Sequence, residues 1–444
     1  MTWDFSTDPE FQAKLDWVRT FVRDKVEPLD VLFPGCEFLP LDEERRAVVD
    51  PLKQEVRDQG LWAAHLGPEL GGQGFGAVKL TLLNEILGRT DWGSIVFGTQ
   101  APDTGNAEIL ARFGTQAQKD RFLAPLLAGE IFSCFSMTEP QGGADPRVFT
   151  TRAVRDGDEW VLTGRKYWSS NAAVASFLIV VAITDPDVPV HRGASTFLVP
   201  RDTPGVVIED SHHVFGAHRH EPGHSLVRYQ DVRVPADAML GEEGHGFEVA
   251  QSRLAGGRLH HAMRAIGVGQ KAIDMMAERA KSRFTQGSTL AEKQFVQGFV
   301  AESYTELMPF RLAVLHAAWL LDTQGEEAAR RDIAALKVLT PKVMQSIVLR
   351  AVQVHGGLGI TEQLPLMDMF MHGLALGLAD GPTEAHKVNL ARQLFRDYEA
   401  DDPEWPTEFL GRRREAARAR YGDMVGSVPS VPDRVPPFVP LPQP

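Results

Sequence analysis

Apolar side chains along this chain change their spacing twice. Phe11, Leu15, Val18 and Val22 recur at intervals of four and three, the period of one helix face, and Pro28 closes the run. That helical pattern defines a first domain, residues 1–131. From 132 to 242 the apolar runs are short and β-type: Trp160-Val161-Leu162, Phe177 to Ile183, Thr196 to Val199, Val206 to Ile208 and Leu226 to Val234. Asp156-Gly157-Asp158 and Thr203-Pro204-Gly205 punctuate them, so this part predicts a small antiparallel sandwich or barrel. Between 243 and 400 helical stripes return. Ile266, Ile273, Met276 and Ala280 form one; Phe295, Phe299, Leu307, Phe310 and Val314 a second; Leu336, Leu339, Val343 and Ile347 a third. Long antiparallel helices with such stripes pack as a bundle. Residues 401–444 form a C-terminal tail, whose prolines from Pro429 to Pro444 predict an extended segment after Val425.

Composition narrows the function. At 444 residues the chain exceeds one ordinary core, and its class is α+β multidomain. A net charge of -13 argues against nucleic acid as a partner, because phosphate binding needs a basic face. Cys36 and Cys134 are too few for a disulfide framework, which points to a reducing compartment. The start Met1-Thr2-Trp3-Asp4-Phe5 carries no secretory signal pattern. No apolar run approaches the roughly 20 residues that span a bilayer. A cytoplasmic protein without a membrane span is expected.

Three polar stretches carry the candidate chemistry. Ser133 to Asp145 includes Phe135, Met137-Thr138-Glu139-Pro140 and Gly142-Gly143-Ala144, where a strand end supplies amides and a hydroxyl. Gly164 to Asn171 includes Trp168-Ser169-Ser170, an aromatic face with hydroxyls beside it; alone, Trp168 reads equally as a β-domain core aromatic. Ala379-Asp380-Gly381-Pro382-Thr383-Glu384 sets a carboxylate after the apolar run Leu376 to Ala379, with an N-cap as its plainer reading.

In this order the three stretches resemble the acyl-CoA dehydrogenase family over roughly residues 10–395. The resemblance implies helices, a central β-domain and a C-terminal four-helix bundle. It implies FAD, with Thr138 at the pyrimidine edge, Trp168 packed on the ring and Ser170 reaching N5. Phe135, Met137, Gly143, Ala144, Ser169, Pro382, Thr383 and Glu384 join the expected cofactor contacts, and Ala144 is an expected substrate contact as well. Arg283, Gln294, Gln353, Gly356 and Gly357 match positions that grasp the adenosine end, partly from a neighbouring subunit. Taken alone, Arg283 and the glycines read as a helix-surface arginine and a helix stop. Ala144 stands where the family usually has serine, Ser170 where it more often has threonine, and Gln286 where an aromatic is typical.

The resemblance also implies the reaction. Asp380, in place of the more usual glutamate, would take the α-proton of an acyl-CoA while the β-hydride moves to flavin N5, giving a trans-2-enoyl-CoA. The Gly381-side amide and a ribityl hydroxyl would polarise the thioester carbonyl, and Arg258 would support that region. Gly257 cannot act as the alternative base before Arg258, and Glu384 is the fallback. Electrons would pass to an electron-transferring flavoprotein, and a homodimer or homotetramer is expected. An oxygen-using acyl-CoA or nitroalkane oxidase and a regulatory DNA-binding member of the fold are the alternatives. The second lacks any basic stripe.

Three further features have competing readings. Gly71-Gly72-Gln73-Gly74-Phe75-Gly76 lacks the preceding strand of a dinucleotide fingerprint and reads as a loop. His212, His213, His218, His220 and His224 lack regular metal-ligand spacing and read as a solvated loop or ligand-mouth element. Gly105, between Asp103 and Asn106, would leave room for a bulky or hydroxylated acyl tail and bind substrate. Alternatively, Asp103 and Asn106 bond their own helix.

Overall fold

The computed structural model describes residues 6–68, 72–214, 223–400 and 402–425. Asp8 accepts the Phe11 amide at 2.8 Å, and Pro9 opens the first helix, Pro9–Phe21. The predicted face of Phe11, Leu15, Val18 and Val22 is buried throughout. It enters one core with Trp92 and Phe97 and with Ile266, Met276, Leu307 and Phe310 of the later helices. A glycine pair sets the approach between these layers. A side chain on Gly88 would stand 2.1 Å from the Arg264 carbonyl oxygen, and one on Gly267 2.3 Å from that of Glu85. Only glycine permits that closeness.

Among the described residues the β-domain has seven strands: β1 (Ser133–Ser136), β2 (Arg152–Asp156), β3 (Glu159–Ser170), β4 (Phe177–Ile183), β5 (Ala194–Pro200), β6 (Val206–His212) and β7 (His224–Pro235). The order runs β1-β4-β2-β3-β7-β6, with β5 also on β4. Most pairs are antiparallel as expected, but β4 runs parallel to both β1 and β2, with Ser133 opposite Phe177 and Arg152 opposite Ile183. Between Lys166 and Ser169 the β3–β7 register slips. That bulge turns Trp168 out of the sheet with φ +56° and half its surface exposed.

Helices Gly246–Ser282, Gln294–Gln324, Glu326–His355 and Leu366–Leu376 follow. Their predicted stripes are buried at Ile266, Ile273, Met276, Ala280, Leu307, Phe310, Val314, Leu336 and Ile347. Phe295 and Leu339 are exceptions. Phe295 projects from a first turn at 87% exposure, and Leu339 falls off the face that Ile333, Met344 and Val348 define. The loop reading of residues 71–76 concerns Gly71, outside the described residues, and Gly76, which opens the Gly76–Leu87 helix. Asp322 accepts the amides of Ala77 and Val78 there at 2.6 and 2.9 Å. The described residues after 390 make a separate compact unit. Within the expected tail, Leu410–Val425 is helical; the proline-rich stretch beyond lies outside the described residues.

Candidate active site

The Met137-Thr138 strand end is fixed from beneath. Lys166 Nζ donates to the Met137 carbonyl and to Glu139 Oε1, both at 2.8 Å. Glu139 accepts further from the amides of Thr150 and Thr151, at 2.7 and 3.0 Å. Burial alone would push the Glu139 carboxyl up, but Lys166 and these donors hold it down to about 2. The Tyr167 amide donates to the Thr138 carbonyl at 2.8 Å, which brings the two β-domain motifs side by side. Glu139 is therefore a structural clamp.

Trp168 stands out beside Tyr167 and His224, ring centroids 5.0 and 5.5 Å away. Ser170 Oγ lies 2.9 Å from His224 Nδ1. Ser169 departs from expectation: its side chain is fully buried, and its hydroxyl pairs with Ser136 Oγ at 2.9 Å inside the sheet. Alternation along β3 dictates this, because neighbours point to opposite faces. Only the Ser169 backbone remains for a ligand. His212 and His224 border the aromatic face through Tyr167 and Trp168. His218 and His220 lie outside the described residues.

This surface fits a flavin. It offers an exposed indole face, and the buried Asn171 Nδ2 beside Ser170 has no hydrogen-bond partner among the described residues. Gly143, with φ +48°, would meet no atom within 4 Å if it carried a side chain, and Ala144 beside it is exposed.

Asp380 sits after the Leu366–Leu376 helix in a left-handed conformation, φ +53°, with 15% of its side chain exposed. Arg253 Nη1 is 3.3 Å from Oδ1, and His261 Nε2 is 3.6 Å from Oδ2. Arg258 Nε donates to the Asp380 carbonyl at 3.0 Å, and His386 Nε2 lies 3.3 Å from the same oxygen. Burial opposes the carboxylate, but Arg253, His261, Arg258 and Lys337 together outweigh it and hold the carboxyl below its ordinary value. The side chain faces the Arg253 guanidinium and the His261 imidazole, so the N-cap reading is set aside. Gly381, φ +97°, leaves 3.0 Å between a hypothetical Cβ and His386 Nε2, which suits glycine alone.

Neighbouring positions divide. Thr383 donates its hydroxyl and amide to the Gly377 carbonyl at 3.1 and 2.9 Å, and Pro382 accepts from the Ala385 amide at 3.0 Å. Both are thus committed to their own turn. Glu384, the fallback base, is 76% exposed and 3.6 Å from Lys387. It does not face Asp380's surroundings.

Arg283, Gln294, Gln353, Gly356 and Gly357 are exposed where the Gly246–Ser282 helix ends, the next begins and Glu326–His355 ends. At about 1.5 Å of rise per residue, Arg283 stands ~37 Å along the helix axis from Arg258. Asp380 and this group do not form one site within one chain.

The expectation that Gly105 opens space is corrected. A side chain there would meet Arg253 Cγ at 3.0 Å and its carbonyl oxygen at 3.3 Å. Gly105 serves a close helix crossing. Asp103 accepts from the Ser133 amide at 2.8 Å, and Asn106 donates to Ser133 Oγ at 2.8 Å, so both polar groups are satisfied across to β1.

Arg253 and His261 were not legible as site residues. With Arg258 and Arg264 they recur at three- to five-residue steps on one helix, and that cationic stripe was the available signal.

Three domains of one family match this chain in order: acyl-CoA dehydrogenase N-terminal domain over residues 8–130, middle domain over 134–232 and C-terminal domain over 244–395. The chain belongs to the acyl-CoA dehydrogenase family of oxidoreductases. It is 41% identical over 361 residues to the Mycobacterium tuberculosis protein described as probable acyl-CoA dehydrogenase FadE2, covering 80% of this chain and 87% of that one. Among solved structures, butyryl-CoA dehydrogenase of Megasphaera elsdenii matches at TM-score 0.76 and 28% identity, over 89% of this chain and all of the other. Glutaryl-CoA dehydrogenase of Mycobacterium smegmatis, solved with FADH2, matches at TM-score 0.74 and 26% identity, over 87% and 95%. The chain spans 36% to 46% of the length of mammalian relatives named acyl-CoA dehydrogenase family members 10 and 11.

Proposed function

We propose that this chain is an FAD-dependent acyl-CoA dehydrogenase that forms a trans-2-enoyl-CoA, with Asp380 as the base that removes the α-proton. The observation that carries this reading is the Asp380 carboxylate, mostly shielded from solvent yet kept ionised by Arg253, Arg258 and Lys337. An ionised carboxylate in a partly dry site is what abstraction from a weak carbon acid requires. Arg258 anchors the Asp380 backbone, and the Gly381 amide beside it would meet the thioester carbonyl. FAD, when bound along Met137-Thr138, Trp168 and Ser170, supplies the two-electron acceptor. Arg283, Gln294, Gln353, Gly356 and Gly357 hold its distal end from a neighbouring subunit, which suits their exposure and distance from Asp380. Electron-transferring flavoprotein is the proposed acceptor partner.

Anaerobic titration with a panel of acyl-CoAs tests the reading. Bleaching of the flavin absorbance, with turnover to an artificial acceptor and little peroxide in air, supports it. No bleaching by any acyl-CoA overturns it. Rapid peroxide formation moves the chain to the oxidases.

A further inference from the structure

Behind Asp380 the long helix lines up two side chains whose order has a chemical direction. Arg264 Nη2 lies 3.4 Å from His261 Nδ1, and Arg264 Nη1 donates to the Thr99 carbonyl at 3.3 Å. A guanidinium can only donate, so His261 Nδ1 must present its lone pair. The imidazole is neutral, because burial first and Arg264 second drive its pKa down to about 3. The single ring proton therefore resides on Nε2, the nitrogen 3.6 Å from Asp380 Oδ2. Arg264 itself is anchored by the glycine crossing of Gly88, which brings a neighbouring backbone against its carbonyl. The other charged and titratable groups around this imidazole are His260, Lys337 and His372.

The geometry points to His261 and Arg264 as positioning residues. Arg264 fixes the imidazole tautomer, and the Nε2–H so fixed aims Asp380 Oδ2 at the substrate. Asp380, one methylene shorter than glutamate, has fewer torsions with which to find its own place. Arg253 beside Oδ1 at 3.3 Å and the imidazole beside Oδ2 at 3.6 Å flank both carboxylate oxygens. This inference rests on Asp380 being the base.

The test uses flavin-loaded protein and four variants. His261→Phe keeps the ring volume without a donor; kcat is expected to fall roughly ten- to hundredfold with little change in KM. The acid limb of its kcat–pH profile should move to higher pH, because a donor to the carboxylate is lost. His261→Gln returns an N–H at the Nε2 position and should recover most of both effects. Arg264→Met frees the tautomer: 15N spectra of histidine-labelled protein should show one protonated Nε2 at residue 261 in the parent and a mixture in the variant. Unchanged kcat and acid limb in His261→Phe, or an Nδ1–H tautomer in the parent, overturns the proposal. Asp380→Asn separates the two readings. If it stays active, the base assignment and this inference fall together; if it is dead while His261→Phe is normal, only the positioning role falls.

Discussion

Lys166 and Glu139 form an ion pair at 2.8 Å with neither side chain exposed, and the pair braces the strand end from Met137 to Thr138. Breaking one side of such a pair leaves an uncompensated buried charge. Lys166→Met should cost about 3–5 kcal/mol, read as a lower denaturant midpoint, with loss of flavin retention. Lys166→Met combined with Glu139→Leu should recover part of the loss, since a buried pair replaced as a unit leaves no orphan.

The same pair predicts an acid response. Glu139 falls from its ordinary 4.5 to about 2 in the fold, so its contribution is full above about pH 4.5. It is lost as pH falls through about 2. Glu139→Gln should flatten this part of the stability–pH curve, measured by thermal unfolding between pH 2 and 6.

Asp380→Asn should keep fold and flavin and lose at least about a thousandfold in turnover. Glu384→Gln should stay within about twofold of the parent, given its exposure and its Lys387 partner. Steady-state assays on both variants distinguish the two carboxylates. Near-parental activity in Asp380→Asn would falsify the base assignment.

Gly105→Ala should shift Arg253 rather than fill space. Its methyl would press on Arg253 Cγ at 3.0 Å, so kcat should drop and stability fall by about 1 kcal/mol or more. A variant with unaltered activity and melting would show that the helix crossing relaxes without moving Arg253.

Arg283→Ala should weaken FAD retention and loosen the assembly together. Flavin stoichiometry and analytical ultracentrifugation check this; tight flavin in an unchanged assembly would leave Arg283 as a surface residue.

Local chemistry was readable from the chain, and long-range chemistry was not. Trp168 lies two residues before Ser170 in sequence, so the bulge that exposes it kept the motif together. The strands and most helix stripes were legible because burial follows period two or period 3.6. Arg253 escaped because its partner lies 127 residues away, and nothing local marks that meeting. Gly105 misled for a related reason. A glycine reads as open space in sequence, whereas here the absent side chain is replaced by a neighbouring helix. Ser169 was misassigned because alternation along β3 sends it inward while its neighbours Trp168 and Ser170 face the other way.

Asp380 lies beside Arg258 of the Gly246–Ser282 helix and Arg283 caps that helix's far end, and that spacing makes two lesions separable. If a working centre draws Asp380 from one subunit and Arg283 from the next, each kind of damage falls on a different centre in a mixed assembly. Co-expressing an Asp380→Asn chain with an Arg283→Ala chain would then create some centres with both residues intact. Two nearly inert parents would yield active offspring, a genetic complementation that a self-contained monomer could not show.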